Sequence, residues 1–129
     1  MKPTRLFDLL QYQKNNSPLK VALAYKQNGA WKTYSTDEFI EIVDNVSRGL
    51  LELGIKKDDK VGIVSNNRPE WNFIDLGLQQ IGAVSVPMYP TITIKDYKYI
   101  FEDSELKYVF ASDTALCDKV REAAEGVST

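Results

Sequence analysis

Residues Lys60 to Thr91, KVGIVSNNRPEWNFIDLGLQQIGAVSVPMYPT, restrict the possible fold more than any other stretch. A short apolar run with Val61, Ile63 and Val64 is followed by a polar turn and then by a segment with helical spacing. A second short run, Ala83 to Val86, closes the stretch. Short, almost continuously apolar strands on either side of a helix are what a parallel sheet covered on both faces requires. The stretch reads as a βαβ unit. Ser65-Asn66-Asn67-Arg68 is a turn whose side chains bond their own backbone, and Pro69 suits a first helical position because no N–H is lost there. Trp71, Ile74, Leu78 and Ile81 recur at three- and four-residue steps, with Phe73, Leu76 and Gly77 widening the apolar face. Gly82 marks the helix stop. Pro87 and Pro90 are expected just past the second strand, where they prevent a central ladder from running on.

The flanking residues extend the pattern. Thr4 to Asn15 carry Leu6, Leu9 and Leu10 as a short opening helix, stopped by Asn15-Asn16-Ser17-Pro18. Val21–Tyr25 and Trp31–Tyr34 flank Asn28-Gly29, a pair that tolerates the positive φ angles of a tight hairpin. Ser35 and Glu38 have capping-box spacing, and Phe39, Val43, Val46, Leu50 and Leu53 predict an amphipathic helix of about five turns ended by Gly54. Thr93 and Asp96 repeat the cap pattern ahead of Ile94, Tyr97, Ile100 and Phe101, in a helix lasting to Asp103. Tyr108–Ala111 is expected as a third buried strand. Asp113 caps a last helix carrying Leu116, Val120 and Ala123-Ala124, closed by Gly126 ahead of Val127-Ser128-Thr129.

The expected fold is therefore α/β: a parallel βαβ-type sheet with flanking helices and right-handed crossovers, preceded by a β-hairpin, all in one segment over residues 1–129. A three-stranded parallel sheet has two open edges, which proteins normally pair or cover. No strand follows the last helix, so the chain reads as part of a longer one.

Composition narrows the function classes. The formal charge is −2, with no basic excess for a phosphate backbone, so nucleic-acid binding is disfavoured. Histidine is absent and Cys117 is the single cysteine, which removes Ser-His and Cys-His catalysis and an internal disulfide. No run approaches the ~18 apolar residues of a membrane span and no leader is evident, so a cytoplasmic location is the default expectation.

Local motifs specify no reaction. Neither G-x-G-x-x-G nor G-x-x-x-x-G-K-[ST] occurs. Arg68 with the backbone at the helix start could receive a phosphate, but Pro69 removes a donor and a structural role is the expectation. Asp58, Asp59, Asp96, Glu102, Asp103 and Glu105 read as solvated loop carboxylates, since nothing places two of them in an apolar pocket. Cys117 has no basic neighbour closer than Lys119 and reads as a packed or half-exposed thiol. Trp31 and Trp71 are expected as core anchors.

One resemblance joins these segments. Asn67-Arg68-Pro69-Glu70-Trp71, Gly82-Ala83-Val84, Val86-Pro87-Met88-Tyr89-Pro90-Thr91 and Ile100-x-x-Asp103-Ser104-Glu105 resemble, in order and spacing, the N-terminal region of AMP-forming acyl-CoA synthetases. The long-chain fatty-acid–CoA ligases are the nearest branch. Trp31 to Ser35, Leu53-Gly54-Ile55 and Asp59 to Ile63 fit the same pattern. The resemblance implies a reaction in which a fatty acid attacks ATP to give acyl-adenylate and pyrophosphate, and the CoA thiol then displaces AMP. ATP, magnesium and CoA are implied for the whole enzyme and none for this chain. The family's phosphate loop, ribose-binding aspartate and catalytic lysine have no counterpart among these residues, so no catalytic, cofactor-binding or metal residue is assigned. The chain matches roughly the first fifth to quarter of such an enzyme, a size consistent with ordinary domain lengths. Its expected partner is the remainder of that enzyme, and its expected role is a scaffold inactive alone. The resemblance leaves open whether the whole enzyme associates with a membrane.

Two alternatives of other classes stand beside this one. A flavodoxin-like binding module would use Ser65–Arg68, Met88–Thr91 and Ser112-Asp113 at its strand ends. A protein-interaction piece would self-associate through an exposed sheet edge.

Overall fold

The computed structural model describes residues 2–127; Ser128 and Thr129 lie outside the described residues. Among the described residues five helices and five strands follow in the order α1 (Asp8–Asn16), β1 (Leu23–Gln27), β2 (Ala30–Tyr34), α2 (Thr36–Glu52), β3 (Lys60–Val64), α3 (Pro69–Gln80), β4 (Val84–Met88), α4 (Ile94–Ser104), β5 (Tyr108–Ala111) and α5 (Thr114–Ala124). The fold is the expected α/β class, with a parallel three-stranded sheet and an antiparallel hairpin. The residues gather into two compact units. One comprises the chain up to Ile55 together with Arg68–Ile81; the other comprises Lys56–Asn67 and the chain from Gly82 onward.

In the first unit the hairpin forms because Asn28 and Gly29 both take positive φ, 51° and 79°. Leu23 then pairs with Tyr34 and Gln27 with Ala30. Ser35 and Glu38 form the capping box that starts α2, each satisfying an otherwise orphaned backbone N–H. Phe39, Val43 and Phe73 form the core, with Tyr34 edge-on to Phe73 at 5.2 Å. Helices α2 and α3 approach closely because Gly77 has no side chain: a Cβ there would lie 2.8 Å from Val46 Cγ1. The Ser47 hydroxyl uses that proximity to donate to the Gly77 carbonyl at 3.2 Å.

The second unit is built on the sheet, ordered β4-β3-β5 with both pairs parallel. Val61 to Val64 of β3 are all buried, as a central parallel strand requires. Gly62 is close-packed, and a Cβ there would meet Met88 Cε at 2.7 Å and Leu106 Cδ1 at 3.0 Å. Val64, Met88, Tyr97, Phe101, Leu106, Leu116 and Ala123 form the core. Thr93 and Asp96 make a second capping box, and the Asp113 carboxylate accepts from Leu116 N at the start of α5.

Several expectations are corrected. Helix α1 starts at Asp8 rather than Thr4, because the Asp8 carboxylate gathers the Thr4 and Arg5 backbone N–H groups into a turn ahead of it. Leu6 and Leu9 are exposed. Leu53 is also exposed, at the C-cap where α2 has already ended. Pro87 lies inside β4, opposite Ile63, rather than past the strand. Strand β4 is an edge, and Val84 N donates toward β3 through the Asp59 carbonyl. Alternation therefore puts the Pro87 nitrogen on the outer side, where no donor is needed. Strand β5 is half-buried rather than buried, being the other edge. In α3, Phe73, Gly77 and Leu78 are buried, whereas Trp71, Ile74 and Ile81 are only half-buried. Ala124, expected to share the apolar face of α5, is exposed.

Candidate functional site

The carboxyl ends of parallel strands are where an open α/β sheet holds ligands. In the second unit these ends are Ser65–Asn67, Tyr89–Thr91 and Ser112-Asp113. The first and third meet. Asn66 N donates to Ser112 Oγ at 3.3 Å, and the Asn66 side-chain amide donates to the Asp113 carboxylate at 3.4 Å. Asp113 spends its other oxygen on Leu116 N at 2.9 Å. These polar groups are occupied by one another and by the α5 cap.

The Tyr89–Thr91 loop is held from behind. The Tyr97 hydroxyl donates to the Tyr89 carbonyl at 2.6 Å, and Lys119 Nζ donates to the Pro90 carbonyl at 3.4 Å while lying 5.2 Å above the Tyr97 ring. Burial pushes the Tyr97 phenol above its ordinary pKa, so it remains a neutral donor. Both anchors take backbone oxygens, and the Tyr89 side chain remains 78% exposed. Sequence reasoning missed this latch. The available signal was a tyrosine at an inward position of α4, where its hydroxyl needs a partner.

Arg68 belongs to the first unit. Its guanidinium makes a two-point pair with Glu70, at 2.8 and 3.1 Å, and lies 5.9 Å from the centre of the Tyr25 ring. The Arg68 hydrogen bonds hold the Glu70 carboxyl below its ordinary pKa. Pro69 occupies the first turn of α3 and Arg68 makes no side-chain cap there. These residues do not form a phosphate cradle: a backbone donor is missing and the cation is already paired.

The loop carboxylates separate into structural roles. Asp59 accepts from Lys107 Nζ at 2.8 Å and from Lys56 N at 2.8 Å, bonds that lower its pKa, the lysine's foremost. Asp96 is lowered by its capping partner, the Thr93 hydroxyl and backbone. Asp58 and Glu105 sit at positive-φ turns, and Glu102 and Asp103 are exposed. Among the described residues no group of three or more His, Cys, Asp or Glu side chains could hold a metal ion.

Cys117 is half-buried, as expected, in an apolar cleft of about 390 Å³ lined by Leu106, Val109, Ala111, Val120 and Val127. Trp71 is half-buried, but Trp31 is 67% exposed and is not a core anchor. The two-stranded hairpin leaves its outward positions in water, and Lys26 lies 6.0 Å from the Trp31 ring centre. No helix of the described residues is long and apolar enough to cross a membrane.

Comparison with known proteins places this geometry. The family model described as AMP-binding enzyme matches residues 10–129. Long-chain-fatty-acid–CoA ligase FadD15 of Mycobacterium bovis is 30% identical over 100 residues, which is 78% of this chain and 17% of that protein. The uncharacterized protein Rv1549 of Mycobacterium tuberculosis is 30% identical over 126 residues, covering 98% of this chain and 69% of the relative. Among solved structures, the anthranilate CoA ligase AuaEII in complex with anthranoyl-AMP superposes with a TM-score of 0.81 at 17% identity, over 95% of this chain and 23% of that one. The strand-end loops and both capping boxes thus lie in a segment that spans about a sixth of the FadD15 length, and the chain belongs to the AMP-binding enzyme family.

Proposed function

We propose that this chain is the N-terminal part of an ATP-dependent long-chain fatty-acid–CoA ligase, which forms acyl-CoA, AMP and pyrophosphate through an acyl-adenylate. The supporting observation is the family match over residues 10–129, together with relatives named as a long-chain-fatty-acid–CoA ligase and a fatty acyl-CoA synthetase. Within that enzyme the chain acts as scaffold. Its strand-end loops bond one another, Arg68 is paired with Glu70, and the described carboxylates serve turns, caps and ion pairs. The rest of the enzyme is its partner and supplies the groups that handle ATP, fatty acid and CoA.

The test has two arms. An antibody raised against this chain is used to capture the native protein from its source cells. The captured material and the purified 129-residue chain are then each given ATP, magnesium, a long-chain fatty acid and hydroxylamine. Acyl-hydroxamate is expected from captured protein several times larger than 14.6 kDa and not from the chain alone. Hydroxamate from the chain alone overturns the scaffold role. Captured protein that is itself 14.6 kDa, or larger protein with no activity, overturns the ligase reading.

A further inference from the structure

We infer that the tip of the β1–β2 hairpin is a site of covalent modification, where Asn28 converts to isoaspartate through a cyclic imide formed with the Gly29 nitrogen. This goes beyond the ligase reading and does not depend on it. Asn28 is the one asparagine in the sequence followed by glycine. It opens a two-residue loop in which Asn28 and Gly29 have φ of 51° and 79°, the two positive angles of a type I′ turn. A Cβ placed at Gly29 would meet no atom within 4 Å, so the space around this residue is open.

The other asparagines are held or hindered. The Asn16 side-chain amide donates to the Tyr12 carbonyl at 2.8 Å, and that of Asn66 to Asp113 at 3.4 Å. Asn15, Asn45 and Asn72 lie within helices, and Asn67 precedes the bulky Arg68. Among the described residues the Asn28 amide has no such partner. The hairpin is also anchored at one end only. Leu23 and Tyr34 pack against the core of Phe39, Val43 and Phe73, whereas every residue from Lys26 to Thr33 is exposed. A two-stranded ribbon has little stability of its own, so its tip opens without disturbing that core.

Opening lets the Asn28 Cα–C bond rotate until the Gly29 nitrogen lies behind Asn28 Cγ. Hydroxide removes the Gly29 N–H proton, the nitrogen attacks Cγ, and the Cγ–Nδ2 bond breaks. The departing group takes a proton from water, which regenerates hydroxide, and leaves as ammonia. A second water then opens the ring. Cleavage between the Gly29 nitrogen and Cγ leaves aspartate, whereas cleavage at the Asn28 carbonyl carbon leaves isoaspartate, with the main chain running through the former side chain. The isoaspartate link adds a methylene to the main chain and frees a carboxylate. The pairings of Gln27 with Ala30 and Lys26 with Trp31 are then out of register.

The test holds the full chain in mildly alkaline buffer, natively and in urea. Isoaspartate is read by enzymatic methyl transfer from S-adenosylmethionine and located by fragment-ion mass spectrometry. The native signal at position 28 is expected to exceed that at any other asparagine by about tenfold or more, because glycine leaves the attacking nitrogen unhindered. The native rate is expected within about tenfold of the rate in urea, as a fraying tip requires. Asn28→Gly keeps the positive φ without the side-chain amide and is expected to abolish the signal. Isoaspartate that forms in urea but not in the native chain overturns the inference, since the turn is then closed. So does an equal native signal at another asparagine, or a signal that Asn28→Gly leaves in place.

Discussion

The two units bury their apolar residues by different means. In the first, two helices close over a small aromatic cluster, with Gly77 letting α2 and α3 approach and Phe73 touching both Tyr34 and Phe39. In the second, a central strand is fully buried while the edge strands and the cleft beside α5 stay partly open. Helix packing can finish a core with local partners, whereas a parallel sheet always leaves two edges to be dealt with. One unit therefore has a closed core, while the other keeps half-buried edge strands and a cleft.

Four substitutions sharpen this contrast. The largest effect is expected from Phe73→Ala, which removes the centre of the aromatic cluster and should cost about 4 kcal/mol in urea denaturation. Val120→Ala, on the wall of the cleft, should cost less than about 1 kcal/mol, because a half-buried side chain facing open space leaves little new cavity. Equal costs would mean that the cleft is closed in solution and the contrast false. Next is Tyr97→Phe, which leaves the Tyr89 carbonyl without its donor. A loss of about 1 kcal/mol is expected, with faster amide exchange in the loop after β4; unchanged stability and exchange would show that the latch is not formed. The smallest effect concerns Asp8, whose carboxyl is held well below the usual range, first by its bonds to the Arg5 guanidinium and then by the Arg5 and Thr4 backbone N–H groups. A depressed folded-state pKa means that this stabilisation is present above the unfolded value of about 3.9 and is lost as pH falls toward the folded one. Asp8→Asn should therefore flatten the acid limb of the stability profile, and an unchanged limb would count against the Asp8 cluster.

Much of this was legible in the residues because the signals are local. Two capping boxes, the Asn28-Gly29 turn and Pro69 at a helix start each act through neighbours within four residues, and each falls where the spacing put it. The misreadings share one cause: they depended on which side of an element meets something else. Trp31 looks like a core residue until its position on β2 proves to be an exposed one. Pro87 looks like a strand stop until β4 turns out to be an edge. For the candidate site, the absence of a phosphate loop was plain from the glycines. The Tyr97 latch was not, since its acceptor is a backbone carbonyl that no side-chain pattern announces.

The position of Pro87 also governs what β4 can accept. Its outer margin is interrupted by a residue with no hydrogen to give, so a strand laid along it would lose a bond of its ladder. A single imino acid thus makes that border a poor template for a stray strand and guards it against fibril-like growth.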